Sequence, residues 1–215
     1  NESLPAGPDM TVEPLIGSEV RETVPDRVPL PRLYLAHRIP PFGTDAFDAA
    51  DVVADILGSG RASRLYASLV RTKRLAQDVT VFVFPIVGGA AMFVVWVTAR
   101  PGVEPETLEA ALHEELERLT DDGPTDADLE RVRNLHASRI AGSLERIGER
   151  ADRLSMYTCL FDAPERINEE IPRYAAVDAA GVRDAMSSWI HPANRVTLTY
   201  VPAEAGAEPA SEDAA

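Results

Sequence analysis

Two runs of β-forming residues, VTVFVFPIV (79–87) and AMFVVWVTAR (91–100), flank the pair Gly88-Gly89. Glycine reaches the backbone conformations a tight reversal needs, and branched and aromatic side chains fill a pleated surface. The segment therefore predicts an antiparallel hairpin. Both runs are apolar at nearly every position, which predicts a hairpin covered on at least one face and central in its sheet. A central antiparallel hairpin argues against a doubly wound parallel sheet.

The other elements are placed by period and punctuation. RLYLAHRI (32–39) reads as a short strand stopped by Pro40-Pro41. Thr44 caps a helix over 45–57 with Phe47, Ala50, Val53, Ala54 and Leu57 at helical spacing, and Gly58 and Gly60 end it. A shorter helix covers Ser63 to Arg74 with Leu65, Leu69 and Val70 inward. Pro105 opens a helix over 105–119 with Leu108, Leu112, Leu116 and Leu119 on one stripe. Thr125 to Asp128 forms a capping-box start, and the pattern behind it continues to Leu154, with Gly142 and Gly148 placed to bend or divide it. Helices are expected over 164–172 and from Asp178 to Ile190, and VTLTYVP (196–202) is a last strand. Strands at the start, middle and end must share one sheet with helices over it, an α+β sandwich.

Three regions follow: an extended proline-bearing segment over 1–31 with at most one short edge strand, a single α+β unit over 32–202, and a disordered acidic tail over 203–215. The chain starts at Asn1 and its first residues hold no apolar signal core, the expectation for a fragment or processed piece. No run of about 18 apolar residues exists, so no transmembrane helix is expected. A net charge of −14, from 21 Lys+Arg against 35 Asp+Glu, opposes phosphate backbones and anionic membrane faces, so neither nucleic-acid binding nor membrane insertion is expected. The single cysteine, Cys159, forms no internal disulfide and reads as buried packing. A reducing compartment fits, the cytoplasm ahead of the periplasm.

Candidate chemistry is sparse. His113 and Glu117 stand at i and i+4, where a zincin helix carries two histidines, but further ligands are needed and a solvated helix face explains the same letters. His37, His136 and His191 are isolated, and each reads as structural or surface histidine. Gly58-Ser59-Gly60 follows a helix rather than a strand, which excludes a dinucleotide loop. No catalytic set emerges from the residues alone.

Six blocks carry a resemblance: ILGSG (56–60), SRLY (63–66), LVRTKRLAQDV (69–79), ARPGV (99–103), GPTDADLERVR (123–133) and ANRVTLTYVP (193–202). In this order they are similar to the C-terminal repeat of the pitrilysin/insulinase-type zinc peptidases, which include the mitochondrial and bacterial-type processing peptidases. The resemblance implies a mixed, mostly antiparallel sheet with helices on one face. It also implies a zinc-free repeat, because the family holds Zn2+ on H-x-x-E-H in the partner repeat and this chain contains no such motif. No metal or other cofactor is then bound by this chain. Arg71 matches a family arginine that contacts substrate. The tyrosine expected seven residues later is absent, with Gln77 or Asp78 there instead.

The implied role is to enclose a peptide chamber and dock the catalytic repeat, in cis or as a separate zinc-bearing subunit, with a homo- or heterodimer allowed. The isolated chain is then expected to be inactive, and its parent a zinc metalloendopeptidase. The alternative is a non-enzymatic scaffold or assembly protein on the same fold.

Overall fold

The computed structural model describes residues 15–203. Five strands, β1 (Val20–Asp26), β2 (Arg32–Ile39), β3 (Ala76–Phe84), β4 (Ala91–Ala99) and β5 (Arg195–Pro202), form one sheet in the order β1-β5-β2-β4-β3. β1 runs parallel to β5, whereas β5–β2, β2–β4 and β4–β3 are antiparallel. The sheet is therefore mixed and mostly antiparallel, and the fold is α+β.

The helices α1 (Asp45–Gly58), α2 (Pro105–Asp122), α3 (Asp126–Leu144), α4 (Ile147–Phe161), α5 (Glu170–Ala176) and α6 (Ala179–Trp189) complete the chain. α1 lies across β2, β4 and β3, and α2 and α6 cover β2. Strand alternation sends Leu33, Leu35, Phe93, Val95 and Val97 toward these helices, where all are fully buried against α1 residues such as Val53, Ile56 and Leu57. Thr44 caps α1 as expected, its hydroxyl accepting from the Phe47 amide. The Thr125–Asp128 capping box opens α3.

Several expectations are corrected. The hairpin exists, but among the described residues β3 is an edge strand and only β4 is interior, since no strand pairs beyond β3. Its connection spans 85–90 rather than a tight Gly-Gly turn. Pro85 ends the ladder and the Phe42 amide donates to the Ile86 carbonyl at 2.9 Å, so the loop is held by the neighbouring turn. Gly58 does not terminate α1 by freeing the backbone. It is the last helical residue, with Ser59 as C-cap, and a Cβ there would stand 2.5 Å from the Val81 Cβ, so it permits close contact with β3.

The segment after Ser63 is mostly a π-helical turn, Tyr66–Thr72, that leads through Arg74 at φ 54° into β3. The long helix divides between Gly142 and Gly148, giving α3 and α4. The helix expected over 164–172 is a 3₁₀ turn (Pro164–Asn168) followed by α5.

Cys159 is exposed, not buried. α4 packs on one side only, with Tyr157 as its one buried residue, so apolar letters on its outer side stay in solvent; Ile147 is 78% exposed. Within the segment read as an extended linker, β1 pairs with β5. It is anchored by Asn194, whose Oδ1 accepts from the Ile16 amide while Nδ2 donates to the Arg38 and Trp189 carbonyls. The acidic tail lies, apart from Ala203, outside the described residues.

Candidate functional site

The sheet is covered on one face, and the other face carries a row of aromatic rings. Tyr200, Tyr34, Trp96 and Phe82, one from each of four adjacent strands, meet edge to face at centroid distances of 5.6, 6.0 and 5.4 Å. All four are half-buried, although among the described residues no helix packs over them. Met92 and Phe84 continue the apolar surface toward the β3 edge, with Phe84 53% exposed. Edge-to-face contact satisfies the ring quadrupoles within the row and leaves a broad apolar surface outward.

At one end of this face lies a cavity of about 380 Å³ lined by Arg32, Tyr34, Gln77, Asp78, Thr98 and Tyr200 among others. Arg32 Nε donates to Thr98 Oγ1 at 2.9 Å and Nη1 to the Tyr34 hydroxyl at 3.3 Å, while Thr98 in turn donates to Asp78 at 3.1 Å. Among the described residues, no carboxylate stands within 4.0 Å of the Arg32 guanidinium. The cavity thus holds an oriented cation able to accept a carboxylate or a polarised carbonyl. Sequence reading placed Arg32, Tyr34, Thr98 and Tyr200 in strands without assigning their face and began the third strand only at Val79, after Gln77 and Asp78; the alternation of Arg32 and Tyr34 against buried Leu33 and Leu35 was the available signal.

Arg71 is not part of that lining. It is exposed near the end of the π-helical turn and has no polar partner among the described residues. Gln77 and Asp78, one or the other of which takes the place of the family tyrosine, do line the cavity beside Arg32.

His113 and His191 line one cavity together with Glu117 and Arg195, whereas His136 stands apart on α3. His113 Nε2 points to Glu109 at 3.7 Å rather than to the exposed Glu117, and Glu109 is itself held by Arg21 at 2.7 Å. Burial holds the His113 pKa below its usual value. His37 is fully buried against Phe93, and burial, with Arg195 nearby, pushes its pKa down to about 3. His136 stacks on Tyr174 far from the sheet's open face. Among the described residues, no three His, Cys, Asp or Glu side chains converge to hold a metal ion. Zinc therefore does not fit the donor set described here.

The sequence blocks of the resemblance have structural work. Arg131 of the block at 123–133 donates to the carbonyls of Asp55, Ile56 and Ser59, closing the C-terminal end of α1 that the block at 56–60 forms. Arg64 of SRLY binds Asp128 and the Gly123 carbonyl. Arg100 of ARPGV donates to the Ala76 carbonyl at the irregular start of β3.

A family model described as the peptidase M16 inactive domain matches residues 2–135. No curated protein sequence matches the chain. Among solved structures, a protease from Helicobacter pylori superposes with a TM-score of 0.84 at 20% identity, over 94% of this chain and 48% of that one. The inactive peptidase domain of a candidate zinc protease from Bordetella parapertussis is similar at a TM-score of 0.72 and 23% identity, over 82% and 95%. A chain of complex III2 from Candida albicans gives 0.70 at 16% identity, over 86% and 46%. This chain spans about half the Helicobacter protease and nearly all of the Bordetella domain. At these identities the likeness is one of fold.

Proposed function

Because the chain belongs to the peptidase M16 inactive-domain family, as a non-catalytic domain, we propose that it is the zinc-free half of a zinc-dependent peptidase, docking the catalytic repeat and enclosing the peptide chamber. The observation that carries this reading is the uncovered aromatic row Tyr200–Tyr34–Trp96–Phe82 in a chain that spans only about half of a structurally similar protease. An apolar face of this breadth is stabilised by burial against a partner at about 25 cal/mol per Å². The catalytic repeat, in cis or as a separate subunit, is the occupant argued for. Zinc and its general base would come from that repeat.

In this arrangement, Arg32 at the rim cavity and the unpartnered Arg71 serve as donors to a peptide carbonyl or C-terminal carboxylate. An excess of acidic side chains favours unfolded basic peptides in the chamber.

The test combines this chain with an H-x-x-E-H-bearing repeat and follows complex formation by light scattering and hydrolysis of a basic peptide. Complex formation with chelator-sensitive hydrolysis, both lost in Trp96→Asp, supports the reading. Chelator-sensitive hydrolysis by this chain alone, or association indifferent to Trp96→Asp, overturns it. A complex that forms without hydrolysis moves the reading to the scaffold alternative, which the absent tyrosine partner of Arg71 favours.

A further inference from the structure

A second cavity, of about 370 Å³, lies among α1, α3, α4 and α5, remote from the sheet's open face and sharing no residue with the cavity there. Three of its polar side chains have an atom buried without a hydrogen-bond partner: Arg173 Nη1, Glu170 Oε1 and His136 Nε2. Glu170 is 4% exposed and His136 7%. A buried donor or acceptor left unpaired loses its hydration without return, so three in one cavity call for a physical explanation.

Their surroundings fix what each can still do. Arg173 faces Asp48 of α1 with its Nε (3.0 Å) and Nη2 (3.1 Å), the side-on edge of the guanidinium. Nη1 lies on the opposite edge and remains a donor. Glu170 accepts from Arg153 on Oε2, leaving Oε1 as an acceptor. The His136 ring is stacked on Tyr174 with centroids 3.6 Å apart and planes 8° apart. Burial lowers its pKa, so the neutral ring offers a lone pair at Nε2 when Nδ1 carries the proton.

The remaining charges are engaged or lie at the mouth. Arg139 is bound to Asp55 at 2.7 Å, and Asp51 accepts from the Tyr174 hydroxyl. Glu149 and Asp152 stand on the exposed side of α4.

Glu170 and Arg173 are three residues apart on α5, so their side chains emerge on one helix face a single turn apart. That places an anionic acceptor next to a cationic donor, with His136 as a second acceptor. A lone cation would leave Nη1 unpaired, and a lone anion would leave Oε1 unpaired. A molecule with an ammonium and a carboxylate on neighbouring atoms satisfies both.

We propose that this cavity binds a free α-amino acid by its zwitterionic head, the carboxylate on Arg173 and the ammonium on Glu170 and His136. The side chain of the amino acid lies against Phe42, Ile140 and Met156, which line the same cavity. Free amino acids are end products of proteolysis, so the site would report their accumulation from outside the proposed chamber.

The test is titration calorimetry of the unmodified chain with L-phenylalanine, L-leucine and L-lysine, alongside N-acetyl-phenylalanine, phenethylamine and a phenylalanine dipeptide. Saturable binding of at least one free amino acid is expected. Removal of its ammonium or of its carboxylate should weaken binding by about tenfold or more. Glu170→Gln should weaken amino-acid binding to a similar degree while leaving thermal unfolding cooperative. Absence of binding by all three amino acids overturns the proposal. So does equal binding of phenethylamine and phenylalanine, which would make the cavity a simple amine site, or tighter binding of the dipeptide, which would make it a peptide-end site. The analogue series needs no variant, so it decides the matter even if Glu170→Gln fails to fold.

Discussion

Arg64 holds Asp128 through two nitrogens, Nε at 3.1 Å and Nη2 at 2.8 Å from the same carboxylate oxygen, across 64 positions of sequence. That oxygen also accepts from the amide and hydroxyl of Thr125, so one carboxylate closes the capping box of α3 and ties α3 to the segment after α1. Two blocks that carry the family resemblance are thereby a structural joint.

Removal of that joint should be costly. Asp128→Ala loses a charge-assisted contact and a cap, and is expected to lower stability by about 2–3 kcal/mol in urea unfolding. Burial raises the Asp128 pKa, but the Arg64 and Thr125 hydrogen bonds outweigh this and hold it below the usual carboxylate range. The stabilisation is thus present above the unfolded value, about 3.9, and fades as pH falls through the folded one. The gap between wild type and Asp128→Ala should shrink in acid; a gap constant with pH would refute the ionic origin.

Gly58→Ala tests the approach of α1 to β3. Alanine is the better helix former by about 1 kcal/mol, so propensity alone predicts a gain. The added Cβ would sit 2.5 Å from the Val81 Cβ and 2.8 Å from its backbone nitrogen, so a net loss of about 1–3 kcal/mol is expected instead. Calorimetric melting gives the sign directly.

His37 and Asp51 should drive stability in opposite directions in mild acid. Burial raises the Asp51 pKa to about 6 despite the Tyr174 hydroxyl, above an unfolded value of about 3.9. Between these values the folded chain holds the extra proton, and stability falls as pH rises. The His37 value of about 3 lies below its unfolded value of about 6.5, so the unfolded chain holds the extra proton there and stability rises with pH. Asp51→Asn should therefore steepen the rise in Tm between about pH 4 and pH 6, and His37→Phe should flatten or reverse it. Identical Tm profiles for the two variants would contradict both assignments.

Arg71→Ala separates function from stability. The side chain is exposed and without a polar partner among the described residues, so stability should change by no more than about 0.5 kcal/mol. In the proposed assembly with a catalytic repeat, a donor to the substrate carbonyl would be lost, and kcat/KM should fall by about tenfold. Unchanged kcat/KM with a large loss in Arg32→Gln would assign the role to Arg32 alone.

Local chemistry was legible in the sequence where it was decided locally. The span of β2 from Arg32 to Ile39, the Thr44 cap, the Asp128 capping box and the alternation of β5 all depend on neighbours a few residues away, and the letters carry them. The absence of H-x-x-E-H is likewise a property of the letters. What the tertiary structure decided were relations between distant segments. β3 stands at the edge because β4 pairs with β2 on its other side, a pairing no property of residues 76–99 discloses. Tyr34 and Trp96 lie on the uncovered face because α1, α2 and α6 all pack opposite, and Cys159 is exposed because none of the described residues covers the outer side of α4. The orphan groups of Arg173, Glu170 and His136 share a cavity only because four helices, α1, α3, α4 and α5, converge there. Period and propensity are short-range quantities, whereas cover, strand order and cavity lining are set by which surfaces exclude water together.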